Sequence, residues 1–434
     1  MITATIGKIF LEAYNKKHST NYDAKSFFVD VYYPLFFDSN KYLFWVNNSP
    51  FDQMKKAHKV ETMSKADRMN LLQSFLSKVD SSKSPNASIA PGYPASEEKG
   101  FATTSGQVTN LSISISKEDY YLSWFGAALG VGIQGGLSIL FSEPEILLDE
   151  FEGWKLYRMA LDKNDQLKDY KLNTWNGQWL AHRYDKINFY PDQPMAGFNP
   201  YETTKDGMGI ATQTWTKILI GISRQFDYPK MMGYVYNLGN TNTTIGFIPF
   251  HLEHIRRPIE LYQKLFGEIE GREAEELWGT RKDGFKACCQ KGAIGIEAMR
   301  PKDLEQYMTT DKGAKLPKYD EKQIISFHTY QIWLLAMLNN QEMWDKSLEF
   351  AKSLHDFVAQ DKSISTQKKN IIKSVLSATT KKNFISSLED LVSNADSIGC
   401  IEDIAKVVHL MPTDNVPYFL TLVRFHYAII EKQQ

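Results

Sequence analysis

Residues 324–338 read IISFHTYQIWLLAML, and this stretch decides the fold of the C-terminal part of the chain. Residues Ile324, Phe327, Gln331, Leu335 and Leu338 follow one another at three or four positions, which places this largely apolar set on one face of an α-helix. Polar residues interrupt the run, and it is shorter than the roughly 20 residues that a bilayer requires. The stretch therefore predicts a buried core helix rather than a membrane span.

The same helical spacing continues through the rest of the C-terminal region. Further apolar sets of this kind occupy 344–358, 371–376, 384–391, 401–408 and 419–430. Pro412 and Pro417 flank or open the last of them, as proline does at helix starts. We predict a bundle of four to six helices that forms its own domain over 320–434.

The preceding residues, 1–319, have mixed character. Helices are predicted in the first 14 residues, from Asp23 to a stop at Pro34, and over 69–79. Aromatic and β-branched or alternating runs predict strands at 42–46, 111–116, 215–222 and 245–250. A stretch rich in Ser, Pro and Gly at about 81–100 predicts a mobile loop. The predicted fold class is therefore α+β: a mixed N-terminal and central α+β body with long loops, followed by a C-terminal α-helical bundle.

Composition sets broad limits on function. The chain has 434 residues, with 50 Lys and Arg against 51 Asp and Glu, for a net charge of −1. This balance excludes a uniformly basic protein but not a local basic surface. Three cysteines provide neither a disulfide framework nor a paired C-x-x-C zinc site, and the N-terminus lacks the apolar core of a secretory signal. We expect a cytoplasmic protein without a membrane span, a metal or a cofactor.

A glycine-rich motif, GVGIQGG, occupies 130–136 and matches the letters of the dinucleotide-binding fingerprint. The residues that follow it look like a strand, and Pro144 comes before a crossover helix could form. The motif therefore favours a glycine-rich turn between two strands. The alternative is a loop that lies against a phosphate or a base edge through Gly130, Gly132, Gln134 and Gly135.

Local charge gives a second candidate site. Residues 281–318 contain nine Lys and Arg against five Asp and Glu, and two arginines lie just upstream. The candidate phosphate contacts are Arg256, Arg257, Arg281, Lys282, Lys286, Lys291, Arg300 and Lys302. The alternative is a solvated loop face. A polar-aromatic segment at 173–179, predicted to be a loop, adds Asn176, whose amide could read a base edge, whereas Trp175 and Trp179 are more typical of core packing.

An enzyme is the competing interpretation. His251, Glu253 and His254 fall within one helical turn, but no third metal ligand stands at a known spacing. His182 and Asp185 are further acid–base candidates. The chain lacks the phosphate-binding P-loop and nucleophile-elbow motifs, so no catalytic residue is assigned. The alternative function is a cytosolic enzyme, hydrolase or nuclease-like, acting on a nucleotide, sugar or nucleic acid.

An aromatic-rich α+β body with glycine-rich and Asn/Thr loops, closed by a helical bundle, resembles the large subunits of type I CRISPR Cascade complexes. In this resemblance 130–136 and 103–107, with Thr104 and Gln107, look like the loops that inspect duplex DNA. The bundle looks like the part that lies along the displaced strand. The resemblance implies a non-catalytic DNA- and RNA-binding subunit of an antiviral ribonucleoprotein complex. It would contact guide RNA, target DNA and other effector subunits and sense a short duplex motif.

Overall fold

The computed structural model describes the chain except residues 1, 46–48, 52–59, 82–114, 206, 238–243, 281–283, 309–315, 317, 360–365, 395–398 and 434. The described residues form two compact units, 1–250 and 251–434. The boundary between them therefore follows Phe250, whereas the helical pattern of the sequence places it at 319. Residues after 250 belong with the bundle because two helices of that segment pack against the first bundle helix.

The first unit combines helices with two small antiparallel sheets. Its helices are α1 (Ile2–His18), α2 (Ala24–Phe27), α3 (Tyr33–Phe36), α4 (Lys65–Ser81), α5 (Lys117–Ala128), α6 (Pro144–Lys163), α7 (Leu172–Arg183) and α8 (Trp215–Gln225). Its strands are β1 (Val131–Ile133), β2 (Leu137–Leu140), β3 (Tyr201–Thr204), β4 (Gly207–Ile210), β5 (Met231–Asn237) and β6 (Thr244–Phe250). The expected α+β class is confirmed.

The second unit is helical throughout its described residues. Its helices are α9 (Leu252–Phe266), α10 (Glu268–Glu275), α11 (Gly284–Gln290), α12 (Leu304–Met308), α13 (Ile324–Leu338), α14 (Glu342–Ala359), α15 (Thr366–Ser377), α16 (Lys381–Asn394), α17 (Gly399–Leu410) and α18 (Val416–Lys432). The last six make up the expected C-terminal bundle. Leu335 and Leu388 are buried in it, as the helical spacing predicts.

The closest helix contact in the first unit joins α1 and α5. A Cβ atom at Gly126 would lie 1.8 Å from the carbonyl oxygen of Thr3, and one at Gly7 would lie 1.9 Å from that of Leu122. Both distances are far below van der Waals contact, so the two backbones touch only because both positions are glycine. A capping box formed by Ser116 and Asp119 starts α5.

Four strands form the larger sheet in the order β1-β2-β5-β6, and all neighbours are antiparallel. Gln134, Gly135 and Gly136 connect β1 to β2, so the expected glycine-rich turn between two strands is confirmed. On the β5–β6 hairpin, one face is buried through Val235, Ile248 and other apolar residues. The opposite face remains partly exposed.

Three expectations for local structure were wrong or fall outside the described residues. Pro34 does not stop the helix that begins after Asp23: a π-helical turn, Phe28–Tyr32, precedes it, and the Tyr33 N–H donates to the carbonyl of Phe28. The chain then continues into α3 with proline in its first turn, where no N–H is required. Of the expected strand at 111–116, residues 111–114 lie outside the described residues. The expected loop at 81–100 lies there too, apart from Ser81 at the end of α4.

Two predicted strands have other structures. Residues 215–222 belong to α8, because the side chain of Thr214 caps the helix and Ile218, Leu219 and Ile222 share its buried face. Residues 42–45 form no strand. Their backbone hydrogen bonds go to separate segments of the chain rather than to one neighbouring strand. The backbone N–H of Tyr170 donates to the carbonyl oxygen of Tyr42 over 2.9 Å. By contrast, the strand expected at 245–250 is confirmed as most of β6.

Candidate nucleic-acid interface

The basic segment that the sequence singles out lies entirely in the second unit. Arg256 and Arg257 are half-buried on α9, and the guanidinium of Arg256 approaches the Glu260 carboxylate to 3.4 Å. Lys286 on α11 and Lys302 are exposed. Arg281 and Lys282 lie outside the described residues. The described part of the segment therefore offers exposed cations at three of the predicted positions, Lys286, Lys291 and Lys302.

Acidic side chains neutralise two other cations of this segment. Arg300 lies 3.4 Å from carboxylate oxygens of both Glu297 and Glu305, and Lys291 lies 3.6 Å from Glu297. The Arg300 side chain is only 11 % exposed. Its charge is thus directed into the protein, which weakens its attraction for an external phosphate.

The glycine motif divides into a buried part and an exposed part. Gly130 and Gly132 are buried, and the carbonyl of Gly130 accepts hydrogen bonds from the amides of Asn173 (2.7 Å) and Asn176 (3.1 Å) on α7. A Cβ at Gly177 of α7 would lie 2.3 Å from the carbonyl oxygen of Gly132. These glycines let β1 and α7 approach closely, and Asn176 is fully buried between them.

Gln134, Gly135 and Gly136 are the exposed part of the motif. The turn is held in place because the backbone N–H of Gln134 donates to the carbonyl of Gln213 over 2.9 Å. Gly135 has a φ of +91°, which glycine adopts without strain. Thr104 and Gln107 lie outside the described residues. Within the motif, only this turn is open to a ligand.

Segment 173–179 also differs from the expected loop, because it forms most of α7. Trp175 and Trp179 are buried in it, and their indole N–H groups donate to the carbonyls of Gly153 and Asp149 at 2.8 and 2.7 Å. The expectation that these two tryptophans pack in the core is confirmed.

A stronger concentration of positive charge lies on α15 and α16, and sequence inspection missed it. From Thr366 to Leu388 the chain has five lysines and no acidic residue. The two helices pack against each other, and we call them the lysine hairpin, with Lys368, Lys369, Lys373, Lys381 and Lys382. The sequence indicates this surface by a window without Asp or Glu. The apolar periodicity of the same residues, however, predicts only the core of the bundle.

The lysines of the hairpin have two kinds of environment. The Lys368 ammonium lies 4.8 Å from the centre of the Phe357 ring, and Lys381 donates to the carbonyls of His409 (2.7 Å) and Met411 (3.0 Å). These two hold the hairpin in the bundle. The other three, Lys369, Lys373 and Lys382, are exposed and have no described carboxylate within 4.0 Å.

The geometry of the exposed lysines suits a chain of anions. Lys369 and Lys373 are four residues apart on α15, so they lie one above the other on the same helix face. Lys382 lies in the first turn of the neighbouring helix, α16. The hairpin therefore carries uncompensated charge on a surface whose buried side is fixed by Ile372, Val375 and Phe384.

The histidines of the enzyme alternative, His251 and His254, lie next to each other. The rings of His251 and His254 stack with centroids 5.2 Å apart, at the start of α9. Burial, then His251 and Arg257, lower the pKa of His254. Glu253 beside them is exposed. Among the residues that the structure describes, no group of three or more His, Cys, Asp or Glu side chains is arranged to hold a metal ion.

The other two acid–base candidates take part in local structure. His182 Nε2 donates to the carbonyl of Pro194 over 3.0 Å, and burial lowers its pKa. The Asp185 carboxylate accepts from the Asn188 amide (2.7 Å) and from the backbone N–H of Ile187 (3.1 Å). These bonds fix the turn after α7.

A buried carboxyl group was not foreseen from the sequence. Glu150 on α6 is fully buried, and neither of its carboxylate oxygens has a hydrogen-bond partner among the residues that the structure describes. Burial raises its pKa well above the usual range, and the Asp149 carboxylate raises it further. Nothing in the local sequence marks this residue, because its burial depends on packing.

No protein-family model, curated protein or solved structure matches this chain. Searched over its described residues, the chain has no helix that is both long and apolar enough to cross a bilayer.

Proposed function

We propose that this chain binds nucleic acid through the phosphate backbone and acts as a non-catalytic subunit of an RNA-guided effector complex. One observation carries the proposal: the lysine hairpin presents exposed, uncompensated cations over a stretch without acidic residues. Lysines that displace counterions from phosphates supply most of the sequence-independent affinity for nucleic acid. A local surface of this kind can bind a polyanion although the whole chain is neutral.

The resemblance to Cascade large subunits supports a more specific form of the proposal. In those subunits the terminal bundle lies along the displaced strand, and the lysine hairpin belongs to the bundle of this chain. The exposed turn at Gln134 and Gly135 is then a candidate for sensing a short duplex motif. The proposed partners are guide RNA, target DNA and other effector subunits, with sequence read by base pairing.

The test is a triple variant in which Lys369, Lys373 and Lys382 become Ala. Fluorescence anisotropy with labelled duplex and single-stranded DNA and RNA gives the binding constant at several salt concentrations. Because each lost phosphate contact removes about 0.9 from the salt slope on duplex DNA, we expect a slope lower by about three. Affinity should fall for all sequences alike, since phosphate contacts carry no sequence information.

The matched control replaces three exposed lysines of the first unit, Lys8, Lys16 and Lys163, by Ala. It changes the net charge by the same amount and should leave the slope unaltered. A further variant at Lys286 and Lys302 measures the share of the basic segment. If the wild-type chain, alone and with co-purified partners, binds neither duplex nor single strand at about 50 mM salt, the proposed function is wrong.

A further inference from the structure

The outer face of the β5–β6 hairpin has an unusual composition. A sheet face that meets solvent normally carries polar residues. Here Phe247 is 62 % exposed and Met232 is 46 % exposed, and Tyr234 and Tyr236 are half-buried beside them. We call Tyr234, Tyr236 and Phe247 the aromatic strip. An exposed aromatic surface on a stable strand pair marks a binding site more often than an accident of packing.

The strip has a defined geometry. The Tyr234 ring lies between the other two: its centroid is 5.9 Å from that of Tyr236, with 27° between the planes, and 5.1 Å from that of Phe247, at 57°. Tyr234 and Phe247 are direct partners across the two strands. The hydroxyl groups of Tyr234 and Thr244 lie 3.1 Å apart, which helps to fix the central ring.

The support beneath the strip is rigid. Tyr236 pairs with Ser138 of β2, and its hydroxyl lies 2.4 Å from where a Cβ of Gly130 would stand. The reverse face of the same strands is buried through Val235, Ile248 and Phe250. The buried hydroxyl end of Tyr236 and the hydroxyl contact of Tyr234 therefore hold these two rings in place before any ligand arrives, so less conformational entropy is lost on binding.

We infer that the aromatic strip is a stacking platform for the bases of a single-stranded nucleic acid; this inference rests on the proposed function and adds the strand type and the place. Bases are flat and uncharged, and they stack on aromatic rings at a sheet surface. The described residues of β5 and β6 carry no charged side chain, so no carboxylate on them repels the phosphates. Exposed Lys230, directly before β5, supplies a positive charge at one end.

The chemistry of the strip favours a single strand over a duplex. In a duplex the base faces are already stacked on one another, so they cannot stack on the exposed rings of the protein. The hydroxyl groups of Tyr234 and Thr244 also place hydrogen-bonding groups beside the rings, where a base edge can use them. The platform should therefore add affinity only for strands with unpaired bases.

The test uses the full chain with Phe247→Ala, Phe247→Tyr and Phe247→Leu. Binding of labelled single strands of about 12 nucleotides is compared with binding of equal-length strands that carry abasic sites. Loss of one stacked base should weaken Phe247→Ala binding to the base-containing strand by about 5- to 150-fold. Phe247→Tyr should retain the affinity and Phe247→Leu should lose it. For these variants the affinity for abasic strands and the salt slope should both stay as in wild type.

Ile269→Ala is the control, because that residue is 83 % exposed and apolar but lies in the second unit. If Phe247→Ala leaves single-strand binding unchanged, or Phe247→Leu binds like wild type, the inference is wrong while the proposed function stands. Loss of self-association or of a co-eluting protein without loss of oligonucleotide binding would identify a protein-docking face instead and overturn it. If wild type binds no nucleic acid, both proposals fail.

Discussion

A carboxyl group buried without a hydrogen-bond partner makes stability depend on pH, and Glu150 is such a group. Its raised pKa means that the folded protein keeps a proton that the unfolded chain releases above its ordinary value of 4.5. The free energy of unfolding therefore falls as pH rises from there toward the raised pKa. We expect Glu150→Gln to be more stable than wild type by about 1–3 kcal/mol at pH 8, and by less near pH 4.5.

Urea denaturation at both pH values measures this difference. Glu152→Gln on the same helix is the control, because Glu152 is partly exposed and pairs with Lys17 and Lys155. Such surface pairs contribute at most about 1 kcal/mol. If Glu150→Gln and Glu152→Gln have the same pH dependence, then the carboxyl of Glu150 is not titrating in a dry interior.

At the scale of elements, the contact between α1 and α5 depends on Gly126. An alanine there would bring its Cβ to 1.8 Å from the backbone of Thr3, and a backbone atom cannot move aside as a side chain can. We expect Gly126→Ala to lower the free energy of unfolding by about 1–3 kcal/mol or more. The midpoint of chemical denaturation, followed by circular dichroism, measures the change.

Gly271→Ala in α10 is the helical control. The nearest atom to a Cβ at that position is 3.1 Å away and belongs to the flexible Gln263 side chain, so the helix can accept it. Alanine also favours a helix over glycine by about 1 kcal/mol. Equal losses for the two variants would mean that the close approach of Gly126 to the Thr3 backbone does not decide the outcome.

Elements with strong periodicity could be predicted from the sequence, as α4 and the bundle helices were. The failures have two causes, which are contacts distant in sequence at 42–45 and strand-like composition in α8. Residues 42–45 have strand-like composition, but no neighbouring strand in the described part of the chain pairs with them. Isolated hydrogen bonds, such as the one from the Tyr170 N–H to the Tyr42 carbonyl, fix their backbone instead. In α8 the helical spacing is present at Ile218, Leu219 and Ile222, but the β-branched residues of the same segment led to the prediction of a strand.

The candidate site was predictable only in outline. Charge counting found the segment that contains Arg300 but could not show that Glu297 and Glu305 neutralise it. The glycine motif was correctly interpreted as a turn, yet the burial of Gly130 and Gly132 depends on α7, which the sequence had suggested was a loop. Whether the residues of both segments touch nucleic acid stays a prediction.

For the whole molecule, a net charge of −1 means that attraction of nucleic acid depends on where the cations lie. Lysine and arginine keep their charge between about pH 6.5 and 8.5. Burial lowers the pKa of His182, His254 and His328, which favours the neutral form of each over this range. We expect the dissociation constant for one oligonucleotide at fixed ionic strength to change by less than about twofold across this range.

Anisotropy titrations in matched buffers measure this pH profile. The His251→Gln variant serves as the reference, because it alters the stacked pair without changing the lysines. Either of two results would contradict the expectation: a steep loss of binding near neutral pH, or an enzymatic activity that changes with pH there and that the His251→Gln substitution abolishes. It would favour the enzyme alternative at His251, Glu253 and His254.

The π-helical turn Phe28–Tyr32 has a consequence for comparing this chain with its relatives. Such a turn amounts to one extra residue in a helix, and each residue advances an α-helix by about 100°. The insertion lets Phe28 at its start and Phe36 after it both point into the core. A homologue with a regular helix here should lack one residue between positions 24 and 36. Aligning the two without a gap would displace every later aromatic by one position.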